Sequence, residues 1–434
     1  MRRAALLWPA LMWPALLLAW GAAAEQASPA GQRVSELLTR GRQLELQELL
    51  PGVYLVSGNS NAYLVETSGG SLLIDTGISP QAARTRELLL AASERPVELL
   101  VLTHSHPDHI GGVPLWVADG VRVIAHRAFR ERNLDHHRLE AFRNRRARVL
   151  WADVMPGDAP PVPVVEPDEV VDDTRTITLG DQPGDRIELI AVPGGEGPDG
   201  LAVWIPARKL LFVGDALGPT FATFPNLFTL RGENLRDAFT MTETIDAVLA
   251  LEPRPEWLLA GHFEPMQGAQ TIRDNLTRTR DAVRYVHDAT VAGMNQGKDL
   301  WTLMREIELP DELAVSEQYG RVPWGVRAIW ERYTGWFRYQ STTELFEVPP
   351  SAVYGELAEL AGVDALVARA REHLTAGEPL EALHLAEIAL AGDPAHVPAI
   401  TAQRRALQQI LETRGRGNFQ LEGWLGHELG ATPQ

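Results

Sequence analysis

The chain of 434 residues contains no cysteine. Disulfides and thiolate metal sites are therefore excluded, and any ion it holds must be bound by imidazole and carboxylate groups. Positive charge is also in deficit: 40 Lys and Arg stand against 57 Asp and Glu, a formal net charge of −17. That balance argues against a nucleic-acid backbone as partner and gives no general attraction to acidic lipid, so an anionic substrate would need a local positive spot. Apolar residues, by contrast, make up 45% of the chain, ample for the two folded domains expected of this length.

The amino terminus carries an address. Arg2-Arg3 precedes an apolar run from Ala4 to Trp20, then Ala22-Ala23-Ala24 and the polar Glu25-Gln26. This is the plan of a signal peptide, residues 1–24, cleaved after Ala24. An uncleaved anchor is the other reading, because the run nearly spans a hydrocarbon core of ~30 Å. Pro9 and Pro14, with no charged stop beyond, favour removal. A periplasmic or secreted mature protein with no stable membrane insertion is expected.

Residues 31–50 read as an amphipathic helix. Short strands follow at 53–56, 61–65 and 71–75, the last ending in Asp75-Thr76-Gly77. A helix is expected over 80–95, strands over 97–103 and 121–126, helix over 127–150, and a loop over the proline-rich 153–169. A second set of strands lies at 176–179, 187–192, 202–205, 209–213 and 257–260. Strands alternating with helices indicate an α/β layered domain over 25–275. Beyond about residue 272, glycine and proline separate helical patterns at 273–296, 301–307, 325–334, 351–374, 379–391 and 396–413, an all-α unit assigned to 276–434. Within it Ala370, Ala382, Ala386 and Ala389 are small packing positions in helix pairs resembling the tetratricopeptide kind.

The chemistry concentrates in Thr103-His104-Ser105-His106-Pro107-Asp108-His109, directly after a buried strand. His104 and His106, alternating on an extended loop, can face one ion together; Asp108 and His109, past the proline turn, can face a second one ~3.5–4 Å away. Asp75 is either a turn former or a group orienting this loop from behind.

The pattern His104-x-His106-x-Asp108-His109 resembles the metal motif of the metallo-β-lactamase superfamily. The resemblance implies an αβ/βα sandwich with a dinuclear zinc site at one edge, followed here by a helical dimerisation domain. Asp75-Thr76-Gly77 matches the family's first acidic motif, Asp215 the aspartate bridging both metals, and His262 the last histidine. One element departs. Where most members have Pro-Gly-His, this chain has Pro193-Gly194-Gly195-Glu196, so Glu196 is either a replacement ligand or a turn residue. A narrower group, the bacterial alkylsulfatases, makes the same replacement, with two acidic ligands 19 apart as Glu196 and Asp215 are. The bridging glutamate of that group is aspartate here.

The likeness to alkylsulfatases extends through Asn226 to Gly232, Arg280 to Asp288 and Tyr333 to Phe337. It implies a zinc-dependent sulfuric ester hydrolase acting on alkyl sulfates, a homodimer, and Asn226 and Arg231 as sulfate-holding residues. On residues alone, the alternative for Arg231 is an ion pair with Glu233 or Asp237. Asp108 and Arg231 are the expected catalytic residues; the metal set is His104, His106, Asp108, His109, Glu196, Asp215 and His262. The segment 127–175 does not match the group, and His136 and His137 are weak candidates for the proton donor to the leaving group. Trp324, Trp330, Trp336 and Phe337 read either as an alkyl pocket or as helix core. Two readings compete with the sulfatase: a hydrolase of the same fold for another ester, lactam or phosphoester, and a binding or assembly protein in which the helical unit does the work.

Overall fold

A computed structural model describes residues 43–151, 161–219 and 221–431. The expected signal peptide lies outside the described residues. Two sheets face one another. The first has seven strands in sequential order: β1 (Glu45–Leu50), β2 (Val53–Ser57), β3 (Ala62–Thr67), β4 (Gly70–Ile74), β5 (Val97–Val101), β6 (Arg122–His126) and β7 (Glu169–Val171). The first four are antiparallel, and β4 to β7 run parallel. The second sheet has the order β13-β12-β11-β10-β9-β8, built from β8 (Thr174–Thr178), β9 (Arg186–Ala191), β10 (Leu201–Ile205), β11 (Leu210–Gly214), β12 (Trp257–Ala260) and β13 (Met266–Gln267).

Alternation decides the packing. Leu55, Val65, Leu72 and Val101 of the first sheet meet Leu189, Val203, Phe212 and Leu259 of the second in one shared core. The intervening residues, Leu64, Leu73 and Leu100, point outward and are covered by helices. Strands β4, β10 and β11 are buried at every position, as continuous apolar strands between two layers must be. These are the four layers of the expected αβ/βα sandwich.

The helices of this domain are α1 (Ser79–Ala92), α2 (Pro107–Ile110), α3 (Val113–Val117), α4 (Phe129–Arg138), α5 (Glu140–Leu150) and α6 (Ala238–Leu249). Helix α6 starts where the Asp237 carboxylate accepts from the Thr240 amide at 2.8 Å, an N-cap. It lays Met241, Ile245 and Val248 on the outer face of the second sheet. Helix α7 (Ala269–Asn295) joins the two parts: Ile272 and Leu276 pack under that sheet, whereas Ala282, Val283 and Val286 belong to the helical core. The expected boundary at 275/276 falls inside this helix.

The remainder is helical, with α8 (Leu300–Glu306), α9 (Val322–Thr334), α10 (Tyr354–Ala361), α11 (Val363–Ala376), α12 (Pro379–Gly392), α13 (Val397–Ile410) and α14 (Phe419–Ala431). Ala370, Ala382, Ala386 and Ala389 are fully buried at the contacts of α11 and α12, as their small size suggests. Among the described residues, no helix is long and apolar enough to cross a membrane.

The expected helix over 31–50 is corrected at its end. Residues 45–50 form β1, paired antiparallel with β2, because Leu44-Glu45-Leu46-Gln47 also alternates with period two and the β2 edge offers it hydrogen bonds. Residues 31–42 lie outside the described part. Helices α6 and α14 were absent from the expectation.

Candidate metal centre and substrate cleft

The site lies where β4, β5, β11 and β12 end on one edge of the sandwich. His104 and His106 follow β5, Asp108 and His109 open α2, Glu196 sits between β9 and β10, and Asp215 and His262 follow β11 and β12. Their donor atoms fall into two sets, His104, His106, Glu196 and Asp215, and Asp108, His109 and His262, with all atoms of a set within 4.8 Å of one another. In the first set, His106 Nδ1 lies 2.9 Å from His104 Nε2 and 3.0 Å from Glu196 Oε1. In the second, Asp108 Oδ2 is 3.3 Å from His262 Nε2 and 3.7 Å from His109 Nε2. Asp215 Oδ2 touches both, at 4.0 Å from His104 Nε2, 3.6 Å from His109 Nε2 and 3.2 Å from His262 Nε2. It occupies a bridging position.

The donors fit metal ions for a reason beyond proximity. Each histidine is held from behind by one ring nitrogen, which leaves the other facing the centre. Asp75 Oδ2 lies 2.9 Å from His109 Nδ1, and the carbonyl of Asn59 lies 2.7 Å from His262 Nδ1. Thr103 gives its own hydroxyl proton to Asp75 at 2.7 Å and so can accept from His104 Nδ1 at 3.0 Å. Glu233 Oε2 stands 3.5 Å from His106 Nε2. The inward His109 Nε2 is buried without a hydrogen-bond partner, a cost unless a ligand takes its lone pair. Of the two readings of Asp75, the geometry selects orientation of the loop, since it also accepts the Thr103 amide at 2.8 Å.

Charge agrees. Burial opposes protonation of His106, yet Glu233 and Glu196 raise it to about 9. His262 is likewise raised to about 10, against burial, chiefly by Asp215. The three carboxylates thus demand positive charge at the centre, which two divalent cations would supply in place of protons. Gly261 makes the closeness possible, because a Cβ there would sit 2.3 Å from Asp215 Oδ1 and 2.5 Å from His109 Cε1.

A cleft opens beside the centre, lined by Glu196, Asp215 and His262 and by Asn226 and Arg236. The Asn226 amide is 2% exposed, and neither its nitrogen nor its oxygen has a partner. Arg231 is placed differently. It does not line the cleft; its Nε and Nη2 donate to Glu233 Oε2 at 3.0 and 2.7 Å, and Nη2 lies 3.7 Å from Glu196 Oε1. The pairing with Glu233 considered from sequence is therefore present, while Asp237 pairs with Arg332 at 3.1 Å.

Arg236, which sequence reasoning missed, holds the site together. Its guanidinium pairs with Glu196 and donates to the Asn226 carbonyl at 2.6 Å. Burial would raise the Glu196 carboxyl, but Arg236 and His106 bring it down to about 2. Nothing in the local pattern Leu235-Arg236-Asp237 marks it.

His136 does not line the cleft either. It lies in a second polar cavity with Arg132, Arg143 and Glu233, one that His104, His106 and Glu196 of the centre also line, its ring 5.4 Å from His106, and burial, with His106 next, lowers it to about 2. It is neutral and turned to Arg143, and His137 is not among the lining residues of either space. Of the two readings of the tryptophans, an alkyl pocket is not what the structure places here. None of Trp324, Trp330, Trp336 and Phe337 lines the cleft; Trp330 packs in the helical core, and Trp336 is 70% exposed. The aromatic lining comes instead from Trp151, Phe263 and Tyr319.

Comparisons with known proteins agree with this architecture. The metallo-beta-lactamase superfamily model matches residues 56–262, and the alkyl sulfatase dimerisation model matches residues 302–420. A linear primary-alkylsulfatase of Pseudomonas sp. (strain ATCC 19151) is 28% identical over 69% of this chain and 60% of its own length. A second linear primary-alkylsulfatase, from Pseudomonas sp., is 26% identical over 93% of this chain and 63% of its own. The chain thus spans about three fifths of the length of these relatives. The solved structure of a stereoselective inverting sec-alkylsulfatase from Pseudomonas sp. has the same fold, with a TM-score of 0.79 at 24% identity over 92% of this chain and 67% of that one. With α7 lying between the two matched regions, the chain joins a metallo-beta-lactamase superfamily domain to an alkyl sulfatase dimerisation domain.

Proposed function

We propose that the chain is a dinuclear zinc hydrolase that cleaves alkyl sulfate esters to an alcohol and inorganic sulfate. The observation that carries this reading is the orphaned Asn226 amide, buried on a cleft wall beside seven converging ligand side chains. A buried amide with no partner is costly in an empty site and is relieved by a polar ligand such as a sulfate oxygen. The relatives named as alkylsulfatases support the same substrate class.

His104, His106, Glu196 and Asp215 would hold one ion, and Asp108, His109 and His262 the other, with Asp215 between them. When bound, Zn²⁺ ions supply Lewis acidity and lower the pKa of water to about 7. The protein's own part is positioning. Asn226 donates to the ester head, Arg236 keeps Glu196 ionised and fixes the Asn226 backbone, and Arg231 adds positive charge from behind His106. The carboxylate-rich set also suits harder ions such as manganese or iron.

Incubating purified protein with octyl sulfate and measuring released sulfate tests the reading. Zinc-dependent release is expected. Inert sulfate esters, with turnover of a phosphoester or lactam, would replace it by another hydrolase of the fold, and elemental analysis finding well under two ions per chain would favour a binding protein. We also propose a homodimer, on the strength of the match to an alkyl sulfatase dimerisation domain and of the exposed large apolar side chains Tyr333, Trp336, Tyr339, Phe346 and Leu360 within it. A periplasmic or secreted location rests on the amino-terminal run alone, and fractionation of the native host tests it.

A further inference from the structure

We propose that the last helix among the described residues is part of the substrate site: α14 seats Trp151 and Tyr319 as an aromatic wall of the cleft, and these rings set the size of the uncharged organic group that the ester carries. The inference rests on the hydrolase reading above and adds which residues meet the organic part of the ester.

The cleft has a mixed lining: the charged and polar Glu196, Asp215, His262, Asn226 and Arg236, the apolar Trp151, Leu217 and Phe263, and Tyr319, whose buried ring also feels the charges of Glu196 and Arg236. Behind the apolar wall stands a cluster of rings drawn from distant segments. Phe221 and Phe419 are buried, with Trp151, Phe263 and Tyr319 packed on them. Trp151 meets Phe419 edge-on at 5.1 Å between centroids, Tyr319 lies 5.9 Å from Phe419, and Phe221 lies 6.0 Å from Phe263. Phe263 in turn stands 6.1 Å from the ring of His262, so the wall is continuous with the metal edge.

Two devices fix Phe419 in this place. At the start of α14, Asn418 Nδ2 donates to the carbonyls of Glu317 and Tyr319 at 3.0 and 3.3 Å, while its Oδ1 accepts the Leu421 amide at 3.1 Å. One side chain thereby caps the helix and ties it to the segment bearing Tyr319. One turn on, Gly423 lies against the end of α5, where a Cβ would come within 2.6 Å of the Leu150 carbonyl. Only a glycine lets α14 approach that closely, and Trp151 is the next residue after Leu150. Phe419 is a positioning residue behind the wall; Trp151 and Tyr319 face the ligand.

The wall's chemistry names the ligand. Trp151, Leu217 and Phe263 offer a bound group apolar surface and no charge, so the organic part that fits is alkyl or aryl. A polyhydroxylated group would leave its hydroxyls short of partners there.

The test uses the full-length, metal-loaded protein and a series of n-alkyl sulfonates from methyl to octyl, which carry the anionic head and resist hydrolysis. Calorimetry reads their affinities. The native protein is expected to gain roughly threefold to fourfold in affinity per methylene until the chain meets the Trp151 wall, then to level off. Trp151→Ala is expected to move that plateau to longer chains. Phe419→Ala and Gly423→Val, which displace the wall, are expected to flatten the gain per methylene at least twofold, with methyl sulfonate affinity and metal content retained. Phe419→Leu, close to native volume, keeps the test available if Gly423→Val fails to fold. Native-like chain-length dependence in Trp151→Ala and Phe419→Ala would overturn the inference, as would a native protein indifferent to chain length. If no sulfate ester is hydrolysed but the sulfonate series responds to these variants, the reaction assignment falls and the two-domain site stands.

Discussion

The two walls of the cleft are built in opposite ways. The metal edge takes four of its seven ligands from six consecutive residues, His104 to His109, and the other three from turns at the ends of neighbouring strands. The aromatic wall takes one ring each from the end of α5, the loop after β11, the turn after β12, the segment before α9 and the start of α14. The first is held by hydrogen bonds and charge on a rigid sheet. The second is held by ring contacts between a sandwich and a helical unit. The comparison teaches that charge placement here is local and directional, whereas apolar enclosure is assembled from wherever the chain returns. The two walls should therefore fail separately.

The largest effect is expected at the bridging oxygen. Asp215→Ala removes the contact shared by both ligand sets, so both ions should be lost and sulfate release should fall on the order of 10³-fold. Metal analysis and a rate assay read both losses, while the response of the aromatic wall to Trp151→Ala should be unaffected in the fold. Next comes Arg236→Met. It takes the guanidinium from the buried Glu196 carboxylate and leaves it His106 at 3.0 Å and Arg231 at 3.7 Å, which should cost the metal-free protein up to about 3 kcal/mol in urea unfolding, the low end of the range for breaking a buried pair. The loss should be smaller with metal bound, because the ion also balances that charge. The pH dependence has a definite sign: a carboxyl depressed from 4.5 to about 2 adds stability above pH 4.5 that is lost as pH falls toward 2. Without Arg236 the acid limb of the metal-free protein should move upward in pH. An unchanged limb would show that His106 alone holds Glu196 ionised.

Glu233→Ala should have a smaller effect, about 10–100-fold in metal affinity by chelator competition, as for other partners behind a metal-binding histidine. It should leave the gain per methylene in sulfonate binding untouched. A change in that gain would break the separation of the two walls, because Glu233 touches His106, Arg231 and Arg143 but no ring of the aromatic wall.

How much of each wall could be read beforehand follows from the same difference. The metal edge was legible because its chemistry sits in a tight motif after a continuous apolar strand, and Asp75, Asp215 and His262 each follow a strand. Strands such as β4 and β11 were legible since every residue is apolar and buried. Residues 45–50 were misread because Leu44, Leu46, Leu49 and Leu50 satisfy both periods, and only the partner strand decides. The aromatic wall was not legible. A lone phenylalanine at 419 or tryptophan at 151 carries no local mark, and the tryptophans that did stand in a pattern, Trp324, Trp330 and Trp336, serve other surfaces. Arg236 was invisible for a related reason, since a buried guanidinium shows itself only through the carboxylate it meets from 40 residues away.

The smallest effect on the cleft should come from the exposed arm after α9. Trp336 is 70% and Tyr339 87% exposed, and their rings and that of Phe337 stack on one another rather than on the sandwich. Replacing Trp336 and Tyr339 together by serine should remove apolar area from the proposed interface. Each large ring buries on the order of 150–250 Å² when covered, so light scattering should find the mass shifting toward the monomer at micromolar concentration. The helices α11 to α13 keep their own alanine-lined contacts, and α14 keeps its ties to Leu150 and Tyr319. Sulfate release per chain and the sulfonate series should therefore change by less than about threefold, within the ±0.5 kcal/mol usual for surface substitutions away from a site. A much larger loss in the monomeric variant would mean that the partner copy braces α14, and the aromatic wall would then belong to the dimer rather than to one chain.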